Sequence, residues 1–235
     1  MSSADAPGKA GRVTADGRPV LPGNLRTPAL VAVALATVVF AVLGAHYAGR
    51  SGYGRVDGHA ENLVDGATGS HLWLLQRLTL FGSPPLVVLA AFVLSGVCLA
   101  LGRRRLAVVA IVGPGLTGLA TTFLKPAIGR TMEFGGFAYP SGHTGGATSI
   151  ALVVALLLVS LVRPGRTTGI ALVVSIALVA GGTIGTAMIA TGAHYPTDTV
   201  GGFCVAVAIV LGSALLLEWA AGWWHAHRTS PDSTV

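Results

Sequence analysis

His194 and Asp198 stand four residues apart, around Tyr195-Pro196-Thr197. A carboxylate held against one imidazole nitrogen fixes the tautomer and leaves the other nitrogen as a base or nucleophile. If the stretch is helical the two side chains share a face; if it is not, a turn at Pro196 still brings them together. The same pair also suits an interfacial ion pair at the start of a helix. Upstream lies Pro140-Ser141-Gly142-His143. Ser141 is a good N-cap, Gly142 lets backbone approach a ligand closely, and the first amides of a helix there would face an anion. His143 follows at once, placed to give a proton, although a plain cap beside an interfacial histidine has the same residues. Two cations, Lys125 and Arg130, precede this group. Each alone fits a side chain snorkelling to headgroups. Together with two histidines, an aspartate and a helix start, they compose a site for a phosphate. Two histidines and one aspartate at this spacing make a poor zinc signature, so no metal and no cofactor is expected.

The elements that must carry these residues follow from composition. Of 235 residues, 52% are hydrophobic and 10% charged, and mean hydropathy is +0.72. Soluble domains carry about 25% charged residues, so a water-soluble globule is excluded, as is disorder along most of the chain. About 20 apolar residues cross a bilayer. Six stretches qualify, at about 28–48, 84–101, 106–124, 145–162, 169–190 and 199–220, and lipid requires each to be an α-helix. The expected fold class is all-α: a polytopic membrane protein with six transmembrane helices. An additional interfacial helix is expected in the first outer loop, at His71–Leu78. Residues 1–27, rich in Gly, Pro and Ala, read as a disordered cytoplasmic leader, 28–220 as the membrane domain and 221–235 as a short cytoplasmic tail. The first apolar run is too long for a signal-peptide core and reads as an uncleaved helix.

Orientation follows from the cations. With the N-terminus inside, 10 of the 15 Lys and Arg fall in inner segments, which favours both termini cytoplasmic in the inner (plasma) membrane. The polar residues named above then lie at the extracytoplasmic ends of the third to sixth spans. The basic balance, +6 in formal charge, points to anionic lipid and not to nucleic acid. Cys98 and Cys204 sit in apolar runs and read as small buried hydrophobes.

With these residues the chain resembles the type 2 phosphatidic acid phosphatase family, which is related to the vanadium-dependent haloperoxidases. That family carries K-x6-R-P, then P-S-G-H, then S-R-x5-H-x3-D. Lys125 opens the first motif, Pro140-Ser141-Gly142-His143 is the whole second motif, and His194 with Asp198 ends the third. The likeness spans roughly residues 70–215. It departs where Met132-Glu133 stand for Arg-Pro and Ala187-Met188 for Ser-Arg, so both phosphate-clamping arginines are absent; Arg130, two residues before the first, is a partial replacement. The resemblance implies a metal-free phosphohydrolase. His194 would attack phosphorus to form a phosphohistidine, Asp198 would orient it, and His143 would protonate the leaving oxygen. Lys125, Arg130, Ser141 and Gly142 would hold the phosphate oxygens.

Two functions remain open on the sequence. One is hydrolysis of a lipid phosphate or pyrophosphate, with a polyprenyl or polyprenyl-sugar phosphate as the leading candidate. The other is a weakened or inactive relative serving as a lipid-phosphate-binding or partner-binding scaffold. A hydrogen bond to a charged group contributes about 1.5–3 kcal/mol. Two lost arginines therefore cost roughly 10²–10⁴ in rate, which slows such an enzyme without removing its nucleophile or its acid. Partners expected are the lipid phosphate substrate and membrane lipids; oligomeric state is not indicated.

Overall fold

The structure, a computed structural model, describes residues 18–68 and 71–228. It is built from eight α-helices: α1 (Gly23–Tyr47), α2 (Arg55–Thr68), α3 (Leu72–Leu78), α4 (Pro84–Ala100), α5 (Arg104–Ile128), α6 (Gly142–Val162), α7 (Arg166–Ala190) and α8 (Pro196–Arg228). Five of them, α1, α5, α6, α7 and α8, are long and apolar enough to cross a bilayer. The 17-residue α4 spans only about 25 Å at 1.5 Å per residue. A 3-10 turn at Thr79–Gly82 joins it to α3, and Leu72–Gly82 with Pro84–Ala100 makes a sixth candidate span bent by 55°. The chain is a multi-pass membrane protein of all-α class.

Each helix begins and ends where local chemistry dictates. Pro84 and Pro85 fill the first positions of α4, where a missing N–H costs nothing. Glycines in the left-handed region close α5 at Gly129 and follow α7 at Gly192, which lets the chain turn sharply without Cβ strain. Helix α6 is innermost: 72% of its most apolar window is buried, against 17% for α1. It packs on α4, α5, α7 and α8. Leu152, Val153, Leu156 and Val159 of α6 meet Val109 and Ala110 of α5 and Val210 and Ala214 of α8 in one apolar core. Outward-facing Leu35, Phe92, Phe123, Val179 and Leu216 stay exposed, as a lipid-facing surface requires.

Two boundaries differ from the sequence expectation. Residues 18–27 of the expected leader are packed: Val20 and Leu21 are buried, and the Val20 amide donates to Glu218 Oε1 at 2.6 Å. Arg26 pairs with the same carboxylate at 2.7 Å, so burial of two apolar residues and satisfaction of a buried acid hold this segment on α8. Residues 1–17 lie outside the described residues. At the other end α8 runs past the expected boundary at 220, on to Arg228. The segment between α1 and α4 also contains a helix the sequence reading lacked, α2.

Candidate functional site

Three chain reversals bring the polar residues to one end of the bundle. Lys125 lies in the last turn of α5, which Gly129 ends by donating to the Lys125 carbonyl at 2.9 Å. The following loop folds back on itself, with the Ala138 amide on the Arg130 carbonyl at 2.8 Å, and delivers Ser141 as the N-cap of α6. At the end of α7 the amides of Ala193 and His194 both turn back to the Met188 carbonyl. That reversal sets His194 just ahead of α8. Pro196 opens α8, and at its third position Asp198 Oδ2 accepts from the Tyr195 amide at 3.0 Å. This is the back-reaching half of a capping box. The Ser141 amide donates to the Asp198 carbonyl at 2.9 Å, so the starts of α6 and α8 are stitched together. Their approach needs glycine: a Cβ on Gly202 would lie 2.1 Å from the Ser141 carbonyl oxygen.

Lys125, Gly142 and His143 line a cleft of about 780 Å³ between α4, α5 and α6. The walls running away from them are apolar, formed by Val87, Val88, Ala91, Phe92 and Ile111. His143 lies within electrostatic range of His194 and Lys125, and Lys125 within range of Asp198. His194 is buried, its Nδ1 3.5 Å from Asp198 Oδ2. That is long for a hydrogen bond, and Nδ1 has no other partner among the described residues. Catalytic contacts of this kind commonly tighten only when substrate is bound. A phosphoryl group entering here would meet the Lys125 ammonium, the backbone at Gly142 and the His143 imidazole; the second imidazole, His194, is buried and does not line the cleft but lies within electrostatic range of His143. A carboxylate backs one of those imidazoles. Such a set can hold, attack and protonate a phosphate ester.

Two residues expected to hold phosphate are placed differently. Arg130 is 0% exposed and does not line the cleft. Its guanidinium donates to Asp198 Oδ1 and Thr197 Oγ1 from one nitrogen and to Asp57 Oδ2 from another, each at 2.6 Å. It lies between the rings of Tyr47 and Tyr195, 3.8 and 4.5 Å from their centroids. Two carboxylates and two aromatic faces thus already engage that charge. Ser141 is likewise buried, and its Oγ accepts from the Thr144 amide and hydroxyl. What this motif offers the cleft is the backbone at Gly142 together with His143.

The sequence reading missed Asp57, at the start of α2. Its Oδ1 accepts from the Thr197 amide at 2.9 Å and the Thr197 hydroxyl at 2.8 Å. Burial alone would push this carboxyl up. The Thr197 hydrogen bonds and the Arg130 guanidinium more than offset that and hold it below its ordinary value of 3.8. Asp57 and Arg130 are 73 residues apart in sequence, and Asp57 is one of three acids, with Glu61 and Asp65, in a polar stretch, so nothing singled it out. The network Asp57–Arg130–Asp198 clamps α2 and the 130s loop to α8. It also occupies Oδ1 of Asp198, leaving Oδ2 to the Tyr195 amide and His194.

Met132 and Met188 fall where the motif spacing expected the two arginines. Met188 is 5% exposed and packs with Ala147 and Ile184, against Leu78 of α3. Its hydrophobic neighbours come from α6, α7 and α3.

The model of the PAP2 superfamily matches residues 106–221. That segment belongs to the PAP2 superfamily. It takes in the Lys125, Pro140–His143 and His194–Asp198 motifs, and with them the four helices α5 to α8. No curated protein matches the sequence significantly. Among solved structures, the crystal structure of a transmembrane PAP2-type phosphatidylglycerolphosphate phosphatase from Bacillus subtilis is similar, with a TM-score of 0.55 and 18% identity over 85% of this chain and 98% of that one. At that identity the likeness establishes the fold, which extends beyond the PAP2 segment into the N-terminal helices.

Proposed function

We propose that this protein hydrolyses a lipid phosphate at the extracytoplasmic face of the membrane through a phosphohistidine on His194. One observation carries the proposal: Lys125, Gly142 and His143 cluster at one end of a cleft whose remaining walls are apolar, with His194 and Asp198 behind them. A phosphate ester of a long hydrocarbon has that same division, an anion joined to an apolar chain. The cleft lies between α4 and α5, so the chain can stay in contact with lipid while its phosphate reaches the histidines.

In this mechanism Lys125 and the first amides of α6 bind the non-bridging oxygens. His194 Nε2 attacks phosphorus in line with the leaving oxygen. Asp198 Oδ2 fixes the proton on Nδ1 and stabilises the charge that develops on the ring. His143 protonates the leaving alkoxide, then takes a proton from the water that hydrolyses the phosphohistidine, returning both residues to their starting state. Arg130 acts through Asp198 as a positioning residue. Without the two motif arginines the enzyme is expected to be slow on generic phosphomonoesters and to depend on its lipid chain for binding energy. A polyprenyl phosphate, flexible and unbranched in its headgroup, suits the narrow polar end and the long apolar wall. The cation bias favours the extracytoplasmic side, because the Lys and Arg excess lies at the other end of the bundle.

The test is phosphate release from a panel of lipid phosphates by the purified protein. Turnover of long-chain substrates, at least tenfold above a water-soluble phosphomonoester and lost in His194→Ala, is the expected result. Equal rates irrespective of the chain, or full activity in His194→Ala, would remove the proposal. The scaffold alternative predicts saturable lipid-phosphate binding with no release at all.

A further inference from the structure

The end of the bundle opposite the histidines holds a second cavity, of about 370 Å³, lined by Arg18, Arg103 and Arg163 with Asn24 and Ser160. His143 starts α6 and Arg163 caps its far end, so the two sites lie about 30 Å apart along that helix. The three arginines come from three different elements. Arg18 belongs to the packed leader, Arg103 is the N-cap of α5, and Arg163 follows α6.

Three features show that these cations lack a counter-charge among the described residues. Arg103 is 9% exposed, yet its Nε has no hydrogen-bond partner among the described residues. Like charges sit close: after burial itself, Arg18 and Arg163 are the next influences that pull the Arg103 guanidinium below its ordinary pKa. The one carboxylate among the described residues at this end, Glu218, is already taken by Arg26 and the Val20 amide. Gathering like charges around a partly buried guanidinium is unfavourable unless an anion joins them. Arg163 is moreover held at φ 53°, the sole non-glycine residue with positive φ among the described residues, a conformation L side chains rarely adopt. The chain thus maintains an uncommon backbone geometry at one of the three corners of the cavity. The start of α5 adds the positive end of its dipole, with no side-chain cap on it.

We propose that Arg18, Arg103 and Arg163 form a second binding site for a phosphate-type oxyanion, distinct from the histidine cleft. Planar guanidiniums pair with phosphate oxygens two at a time, and the unpartnered Nε of Arg103 is a donor such a ligand would satisfy. The oxyanion is either the headgroup phosphate of an anionic lipid in that leaflet or free phosphate, which share this chemistry.

The experiment is thermal unfolding of the full chain in a non-ionic detergent, titrated with potassium phosphate and, separately, with dihexanoyl phosphatidylglycerol. The latter is a phosphodiester that a monoesterase leaves intact. Sodium chloride at matched ionic strength is the control. A Tm rise of about 5 °C or more at saturation is expected, retained in Lys125→Ala and lost in the double variant Arg18→Gln/Arg163→Gln, whose side chains are exposed and leave the core undisturbed. A rise with both probes identifies a small oxyanion as sufficient; a rise with the lipid alone identifies the headgroup source. No rise with either probe overturns the site. So does an equal rise with chloride, or one that survives the double arginine variant.

Discussion

Replacing Arg130 by Gln separates a positioning role from a phosphate clamp. The substitution removes hydrogen bonds of 2.6 Å to Asp198, Thr197 and Asp57 and the stacking between Tyr47 and Tyr195. It leaves two fully buried carboxylates, Asp57 and Asp198, without their shared cation. Breaking a buried ion pair from one side costs about 3–5 kcal/mol. In a chain of this size that corresponds to a Tm drop of roughly 6–20 °C, read by thermal unfolding in detergent. The loss arises from uncompensated negative charge, so Arg130→Gln/Asp57→Asn is expected to recover part of it, and a double-mutant cycle is expected to show coupling of at least about 1 kcal/mol. On any activity that survives, kcat falls more than KM rises, because Asp198 is no longer held toward His194. The reasoning is refuted if Arg130→Gln unfolds within about 2 °C of the parent and shows mainly a raised KM, the signature of a lost phosphate contact.

Four further outcomes follow. The Asp57 carboxyl is held below its ordinary 3.8 in the folded state, so folding favours its ionised form; the stability it contributes is complete above about pH 4 and is lost as pH falls through the lowered value. Unfolding midpoints followed from pH 7 to 2.5 are expected to fall steeply below pH 4, and less steeply in Asp57→Asn; parallel curves would contradict the assignment. Gly202→Ala puts a Cβ 2.1 Å from the Ser141 carbonyl, so the start of α6 has to move: about 1–3 kcal/mol of stability and most of the activity are expected to go, and a fully active, equally stable variant would deny that the α6–α8 crossing sets the site. Met188→Arg places a cation among Ala147, Ile184 and Leu78 and is expected to lower Tm without raising phosphatase activity; a gain in activity would mean that residue 188 still reaches the phosphate. The profile of kcat/KM against pH is expected to be bell-shaped, since one histidine must be neutral and the other protonated; a flat profile from pH 5 to 9 would exclude the pair.

The six apolar runs were legible because a bilayer leaves the backbone one solution at such lengths, and the observed helices extend those runs by a few residues at most ends. Extensions occur where capping chemistry, not hydropathy, decides, as at Pro196 ahead of α8 and Gly129 after α5. The His194–Asp198 spacing and the Ser141 cap were legible too, being local. The ion pairs of Arg130 were not legible because its partners are remote in sequence: proximity to the absent motif arginine suggested a phosphate contact, while Asp57 lies in a helix of low apolarity that no pattern singled out. The ordering of Val20 and Leu21 was hidden for the same reason, since it depends on Glu218 almost two hundred residues away. Met188 shows the converse, a residue whose type was plain but whose hydrophobic neighbours only the packing of α3 on α7 reveals.

The most direct measurement is rapid quenching of the protein with a ³²P-labelled lipid phosphate, followed by peptide mapping under alkaline conditions that preserve phosphohistidine. The account predicts acid-labile label on the peptide containing His194, absent from His194→Ala and accumulating in a variant slowed at the hydrolysis step, His143→Ala with a good leaving group. Release of phosphate with no label on His194, or label on another residue, would contradict it.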